Sequence, residues 1–203
     1  MTSGYAKWDK IYHEYPLKSL GWELGRARPI LIEFVKKGLI KKGKMLDICC
    51  GAGTNSVYLA KNSFSVYAAD ISPKAIQYAK ETARREKVKI NFLLQSFINL
   101  SFSNEIFDFV FDMGCFHHVQ IPDRAAFIKG IRLVLKKNGI YMITCFSHKN
   151  GSSWNHFTKI QLKQMFSGYF KFIKIRHYSS IEGDGIKRFF YTVLMKKMTS
   201  ILC

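Results

Sequence analysis

Apolar and polar positions along this chain follow two different periods. From Lys44 onward, short apolar runs of strand length alternate with stretches whose apolar residues recur at three- and four-residue spacing. MLDIC, FSVYAAD, VKINFLLQ, IFDFVFDMG and GIYMITCF read as five strands. The fourth is almost continuously apolar, as expected of a strand covered on both faces in a parallel sheet between helices. TNSVYLAK, ISPKAIQYAKETARREK and residues 123–135 supply the intervening helices. Thr54 is expected to cap the first, Ser72 with Pro73 opens the second, and Lys136 to Gly139 should stop the third. Thr158 and Gln161 have capping-box spacing before TKIQLKQMF. Residues 170–178 and 187–197 then alternate as two more strands, and the short SSIEGDGI connection favours an antiparallel pair over a crossover.

Ahead of this core, Tyr5, Trp8, Ile11, Tyr12 and Tyr15 share one face of a short helix ended by Pro16. It reads equally as a lid over a pocket and as a helix docked on the core. GWELGRARP is a loop feeding a helix with Ile30, Leu31, Phe34 and Val35 inward and Gly38 at its end. The predicted fold class is α/β: a doubly wound, Rossmann-like, mostly parallel sheet of seven strands, with an antiparallel C-terminal hairpin and an N-terminal helical cap. At 203 residues a single domain is expected, divided into a cap and lead-in helix (1–43), a core (44–147) and a rim with the hairpin (148–203).

Composition narrows the class. Hydrophobic residues make up 48% of the chain, and no apolar run reaches the roughly 20 residues of a membrane span. The N-terminus lacks the apolar core of a secretion signal, so a cytoplasmic protein without membrane association is expected. The formal charge of +18 would attract anions, yet the basic residues are dispersed, many near helix C-termini. Nucleic acid is therefore not the favoured partner. Of the cysteines, Cys49, Cys50, Cys115 and Cys145 fall in or beside apolar runs, and with Cys203 they are expected to be reduced and mostly structural. Cys49, Cys50, Cys115, His117 and His118 could converge, but no CxxC or HxxxH spacing supports a metal, and none is predicted.

The candidate chemistry centres on MLDICCGAGTN. A strand ends near Asp47, breaks into Gly51, Ala52 and Gly53, and becomes a helix whose first amides are unpaired. Asp47, Asp70, Ser96 and Asp112 all fall at or near the C-terminal ends of successive strands, where doubly wound sheets bind ligands. An acid at Asp70 is placed to accept the ribose hydroxyls of a nucleoside.

These residues resemble the class I S-adenosylmethionine-dependent methyltransferases from about Lys44 to Ser147. The family's acid followed by glycine-x-glycine-x-glycine appears as Asp47, Ile48, Cys49, Cys50, Gly51, Ala52, Gly53, with Cys49 in place of the first glycine. Asp70 in AADIS and Asp112 in FDFVFDMGCFHHV match the second and fourth motifs, and Ser96 stands where the family usually has an acid toward adenine. The resemblance implies S-adenosylmethionine as cofactor, held by Asp47, Cys49, Gly51, Gly53, Asn55, Asp70, Ile71, Ser96, Phe97, Asp112 and Arg26. WDKIY and GWELGRARP are similar to the caps of the thiopurine-methyltransferase-like and tellurite-resistance-like branch, which implies a small-molecule acceptor.

By the same resemblance Trp8, Tyr12 and Trp22 would close over the acceptor; Trp154 and His156, after the fifth strand, and His118, after the fourth, are expected at the same rim, with His117 as the candidate catalytic residue. RNA or protein as acceptor, and a non-catalytic cofactor-binding module, are the alternatives. The family's RNA-modifying Asn-Pro-Pro-Tyr motif is absent after the fourth strand. A monomer or homodimer is expected. Glu182, Asp184 and Arg188, in the hairpin connection, read as a solvated turn.

Overall fold

The computed structural model describes residues 2–98 and 100–199, with the side chains of residues 2–5 excepted. The ring of Tyr5 and all of Cys203 lie outside the described residues. In chain order the elements are α1 (Thr2–Glu14), α2 (Pro29–Lys36), β1 (Lys44–Ile48), α3 (Thr54–Lys61), β2 (Ser65–Asp70), α4 (Pro73–Arg85), β3 (Asn91–Leu94), β4 (Phe107–Met113), α5 (Arg124–Val134), β5 (Leu135–Phe146), α6 (Lys159–Phe166), β6 (Phe170–Ile181) and β7 (Lys187–Lys197).

These strands form one sheet in the order β3-β2-β1-β4-β5-β7-β6. The first five are parallel, and β7 enters antiparallel between β5 and β6. The chain steps outward from β1 to β3, then returns to the other side of β1 as β4. That reversal opens a crevice above the C-terminal ends of β1 and β4. The predicted architecture is the observed one, including the terminal hairpin.

Side-chain alternation divides the core into two layers. Met45, Val66, Ala68, Phe109, Phe111 and Met142 face Ile30, Leu31 and Phe34 of α2, Leu59 of α3 and Ile76 of α4. Leu46, Ile48, Val110, Tyr141 and Ile143 face the opposite way, against Phe127, Ile128 and Ile131 of α5 and Phe166 of α6. Phe34, Phe109 and Phe111 are fully buried, each contributing roughly 1.5–3 kcal/mol of transfer free energy. Phe107 points into the same layer as Val110 rather than that of Phe109, because the β4–β5 register shifts between Phe107 and Phe109.

Two local expectations change. Gly53, not Thr54, is the N-cap of α3: it takes φ +78°, and no side chain caps the helix. The third core helix stops at Val134, one residue short of the predicted end, and Leu135–Phe146 is already strand. Leu135 pairs with Phe107, and Asn138 takes a left-handed turn (φ +62°) that lets the strand bend before Ile140. Ser72 and the Thr158–Gln161 capping box cap their helices as predicted.

Candidate active site

The crevice at the β1–β4 reversal is a cavity of about 300 Å3, floored by the turn after β1 and roofed by the N-terminal cap. The floor begins with Asp47, which is buried and accepts a hydrogen bond from Ser56 Oγ at 2.5 Å. Burial pushes its carboxyl up to about 7 despite that bond, with Asp70 and Asp112 adding repulsion. Gly51 follows at φ +55°, and a Cβ built there would lie 2.8 Å from Tyr12 Oη and 2.9 Å from Glu23 Oε1. Glycine is thus required twice at this position, for its dihedral and for its contacts.

Asp70 is buried at the end of β2. Its Oδ2 accepts from Gly51 N at 2.9 Å and its Oδ1 from Ser72 N at 3.0 Å. Burial raises its pKa, partly offset by those amides. Each carboxylate oxygen retains a lone pair for a ligand hydroxyl. Ile71 and Phe97 also line the cavity.

The roof is aromatic. Trp22 Nε1 donates to Tyr12 Oη at 3.0 Å, Trp8 meets Trp22 edge-on at 5.6 Å, and Trp8 meets the His118 ring at 4.7 Å. Helix α1 is held down by Asp9, whose Oδ1 accepts from Ser72 Oγ at 2.6 Å and Lys74 N at 3.0 Å. The helix therefore both docks on the core and covers the cavity.

The back wall carries His117 and His118 in a 3-10 turn after β4. His117 stacks on Phe146 with ring centres 4.0 Å apart, and Phe146 N donates to its Nδ1 at 3.3 Å. That bond leaves the proton of a neutral ring on Nε2. Burial, with His118 and His156 nearby, lowers the His117 pKa well below its ordinary value. Burial, with Lys7 nearby, lowers that of His118 to about 4.

The front wall comes from a region the sequence left as a solvated turn. Glu182, between β6 and β7, is only 6% exposed and accepts from Arg28 Nη1 at 2.7 and 2.8 Å. Arg28 Nη2 donates to Trp22 O, and Asn55 Oδ1 accepts from Arg28 N. Gly183 N donates to Gly21 O at 2.8 Å, and a Cβ on Gly183 would lie 2.7 Å from Glu23 O. Asp184 and Arg188 pair with each other beside them. The chain separation of these partners explains why no local pattern revealed them; the glycines of EGDG were the nearest signal.

Of the predicted site residues, the cavity is lined by Asp47, Cys49, Gly51, Asn55, Asp70, Ile71, Phe97 and Arg26, and by Trp8, Tyr12, Trp22, His117 and His118. Five lie elsewhere. Gly53 packs on α4, where a Cβ would come within 2.9 Å of Ala79 Cβ. Ser96 Oγ accepts from Ile98 N and does not line the cavity. Asp112 is enclosed behind the wall, accepting from Cys115 N, Phe116 N and Tyr141 Oη, so its role is to hold the turn after β4. Trp154 is 46% exposed with the Arg124 guanidinium 5.7 Å from its ring, and His156 Nδ1 bonds Gly151 O. Neither lines the cavity, although the His156 ring packs edge-on against Phe146, which does.

The cysteines require a correction. Cys49 and Cys115 form a disulfide, because parallel pairing of Ile48 with Asp112 brings the residues after β1 and β4 together. Cys50 and Cys145 are free and buried. Among the described residues no group of three or more His, Cys, Asp or Glu side chains is arranged to hold a metal, and no helix is long and apolar enough to cross a membrane.

A doubly wound sheet with a cavity at its switch point and an antiparallel hairpin at its end defines the class of fold. A family described as "Methyltransferase domain" matches residues 45–139. An uncharacterized methyltransferase of Schizosaccharomyces pombe is 30% identical over 120 residues, 57% of this chain and 83% of that protein. Thiocyanate methyltransferase 1 of Brassica oleracea is 32% identical over 120 residues, 58% of this chain and 53% of that protein. A solved structure described as "Conversion of a Disulfide Bond into a Thioacetal Group during Echinomycin Biosynthesis" superposes with a TM-score of 0.85 over 95% of this chain and 91% of that one, at 18% identity, which shows the shared fold. The chain belongs to the class I S-adenosylmethionine-dependent methyltransferases.

Proposed function

We propose that this methyltransferase acts on a small molecule. The observation that carries the reading is the closed roof. The Arg28–Glu182 pair and the Gly183–Gly21 hydrogen bond tie the cap to the hairpin, so the reactive face is a cavity of about 300 Å3 instead of an open groove for a polymer. The name of the Brassica oleracea relative, a thiocyanate methyltransferase, agrees with a small acceptor. The cap, core and rim work as one domain, since the cavity draws residues from all three.

The residues fit the cofactor. Asp70 stands where a ribose accepts two-point recognition, Ile71 and Phe97 offer apolar faces to the base, and the Gly51 turn, with Tyr12 and Glu23 against it, faces the amino-acid arm. Asp47, Asn55, Arg26 and Cys49 complete that wall, and Trp8, Tyr12, Trp22 and His118 enclose the acceptor. When bound, S-adenosylmethionine supplies an electrophilic methyl group. An acceptor lone pair would take that methyl carbon, the carbon–sulfur electron pair being left on sulfur. What the protein adds is alignment and exclusion of water, worth several orders of magnitude in rate. Neutral His117, with its proton on Nε2, donates a hydrogen bond to the acceptor and does not remove its proton.

Methyl-labelled S-adenosylmethionine supplied with fractionated cell extract tests the reading. Label in the low-molecular-mass fraction is expected; label confined to RNA or protein overturns it.

A further inference from the structure

Most acids around the cavity are already satisfied within the protein. Asp184 pairs with Arg188 at 2.6 and 2.7 Å, Glu182 pairs with Arg28, Asp47 takes the Ser56 hydroxyl and Asp70 takes two amides. Glu23 differs. Its contacts are Ala52 N at 3.2 Å and Thr54 Oγ1 at 3.4 Å, long for charge-assisted hydrogen bonds. Among the described residues it has no ion pair, and Arg28, the cation that influences it, is committed to Glu182. Burial raises its pKa, as it does those of Asp47 and Asp70, so what sets Glu23 apart is the length of its hydrogen bonds together with the absence of an ion pair among the described residues.

Its position says what would compensate it. Glu23 Oε1 stands against the bare Cα of Gly51, whose N–H is bound by Asp70, so the Glu23 carboxylate and the ribose-facing acid flank the same turn. With ribose at Asp70, the apolar side chains of Ile71 and Phe97 suit the base, and the other arm of the ligand is left the part of the cavity lined by Gly51 and Glu23. That arm carries an ammonium group with three N–H donors, whereas the sulfonium offers none. We propose that Glu23 binds the α-ammonium group of S-adenosylmethionine and makes the N-terminal cap part of the cofactor site. The proposal rests on the reading that Asp70 holds the ribose. The domain family matched by residues 45–139 does not extend to this residue.

Calorimetry separates this role from a merely structural one in holding the turn before α3 through Ala52 N and Thr54 Oγ1. S-adenosylhomocysteine and its desamino analogue are titrated into wild type and E23Q, with the unfolding midpoint of each protein measured in parallel. In wild type, loss of the amino group is expected to weaken binding about 10- to 100-fold; in E23Q the same loss costs under about threefold. An amino group worth the same in both proteins overturns the proposal. So does a desamino analogue that binds wild type as tightly as S-adenosylhomocysteine, a result independent of whether E23Q folds. A D70N variant tests the underlying reading separately: unchanged binding of adenosine to D70N defeats the ribose assignment, while the amino-group comparison in wild type still reports on Glu23.

Discussion

Arg28 and Glu182, separated by 154 positions in the chain, meet in a buried ion pair that fastens the cap to the hairpin turn. The guanidinium spends its other nitrogen on Trp22 O, so one side chain fixes both the hairpin and the roof tryptophan. Removing one partner leaves a buried charge without compensation. R28M or E182L alone is therefore expected to lower unfolding free energy by about 3–5 kcal/mol, and the double variant R28M/E182L to recover much of that loss. Urea denaturation of all four proteins gives the coupling directly. Strictly additive losses would show that the pair does not act as a unit.

Gly53 is expected to tolerate no side chain, for a reason unrelated to ligand contact. Its φ of +78° disfavours any L residue, and a Cβ there would sit 2.9 Å from Ala79 Cβ. G53A should cost about 2–3 kcal/mol of stability. Truncating the opposing residue in G53A/A79G should restore the part due to the clash but not the part due to the dihedral. Denaturation midpoints distinguish the two.

The strands, their helices and the glycine turn were legible because each is specified locally. Alternation in MLDIC and FSVYAAD sets a face, Ser72–Pro73 starts a helix, and Gly51 marks a turn. The front wall was not legible. Glu182 and Arg28 carry no local sign of burial, and a charged EGDG tip resembles a solvated turn until the antiparallel pairing of β6 with β7 carries it over the cap. Trp154 and His156 follow β5 closely in the chain yet do not line the cavity: Trp154 is exposed beside Arg124, and His156, bonded to Gly151 O, packs edge-on against Phe146. Asp112 matches a motif yet faces backbone amides, which only the three-dimensional arrangement of the turn after β4 reveals.

Asp112 makes stability depend on pH in a stated direction. Burial, working against bonds from Tyr141, Cys115 and Phe116, raises its folded-state pKa to about 7, above the roughly 3.9 of an unfolded aspartate. Its favourable contribution is present below pH ~4 and is lost as pH rises through about 7. An asparagine cannot ionise, and the Tyr141 hydroxyl can turn to accept from it. Between pH 5 and 8 the difference in unfolding free energy should move in favour of D112N by on the order of 2 kcal/mol. Urea titrations at those two pH values check the sign, and a difference that moves toward wild type would refute the assignment.

His117 presents the sharpest test of how the acceptor is handled. Burial against Phe146 and the bond from Phe146 N keep its ring neutral, with Nδ1 already occupied. A ring in that state has no free basic nitrogen at neutral pH. Its NMR signals should hold their neutral-form positions from pH 8 down to 5.5, while those of His118 reach the midpoint of their titration near pH 4. Loss of the Nε2 donor in H117A should slow methyl transfer about 3- to 10-fold without altering the shape of the pH–rate profile above pH 5.5. An inflection between pH 6 and 7 in the wild type that disappears in H117A would instead make His117 a general base, and would direct the search for the acceptor toward groups that must lose a proton.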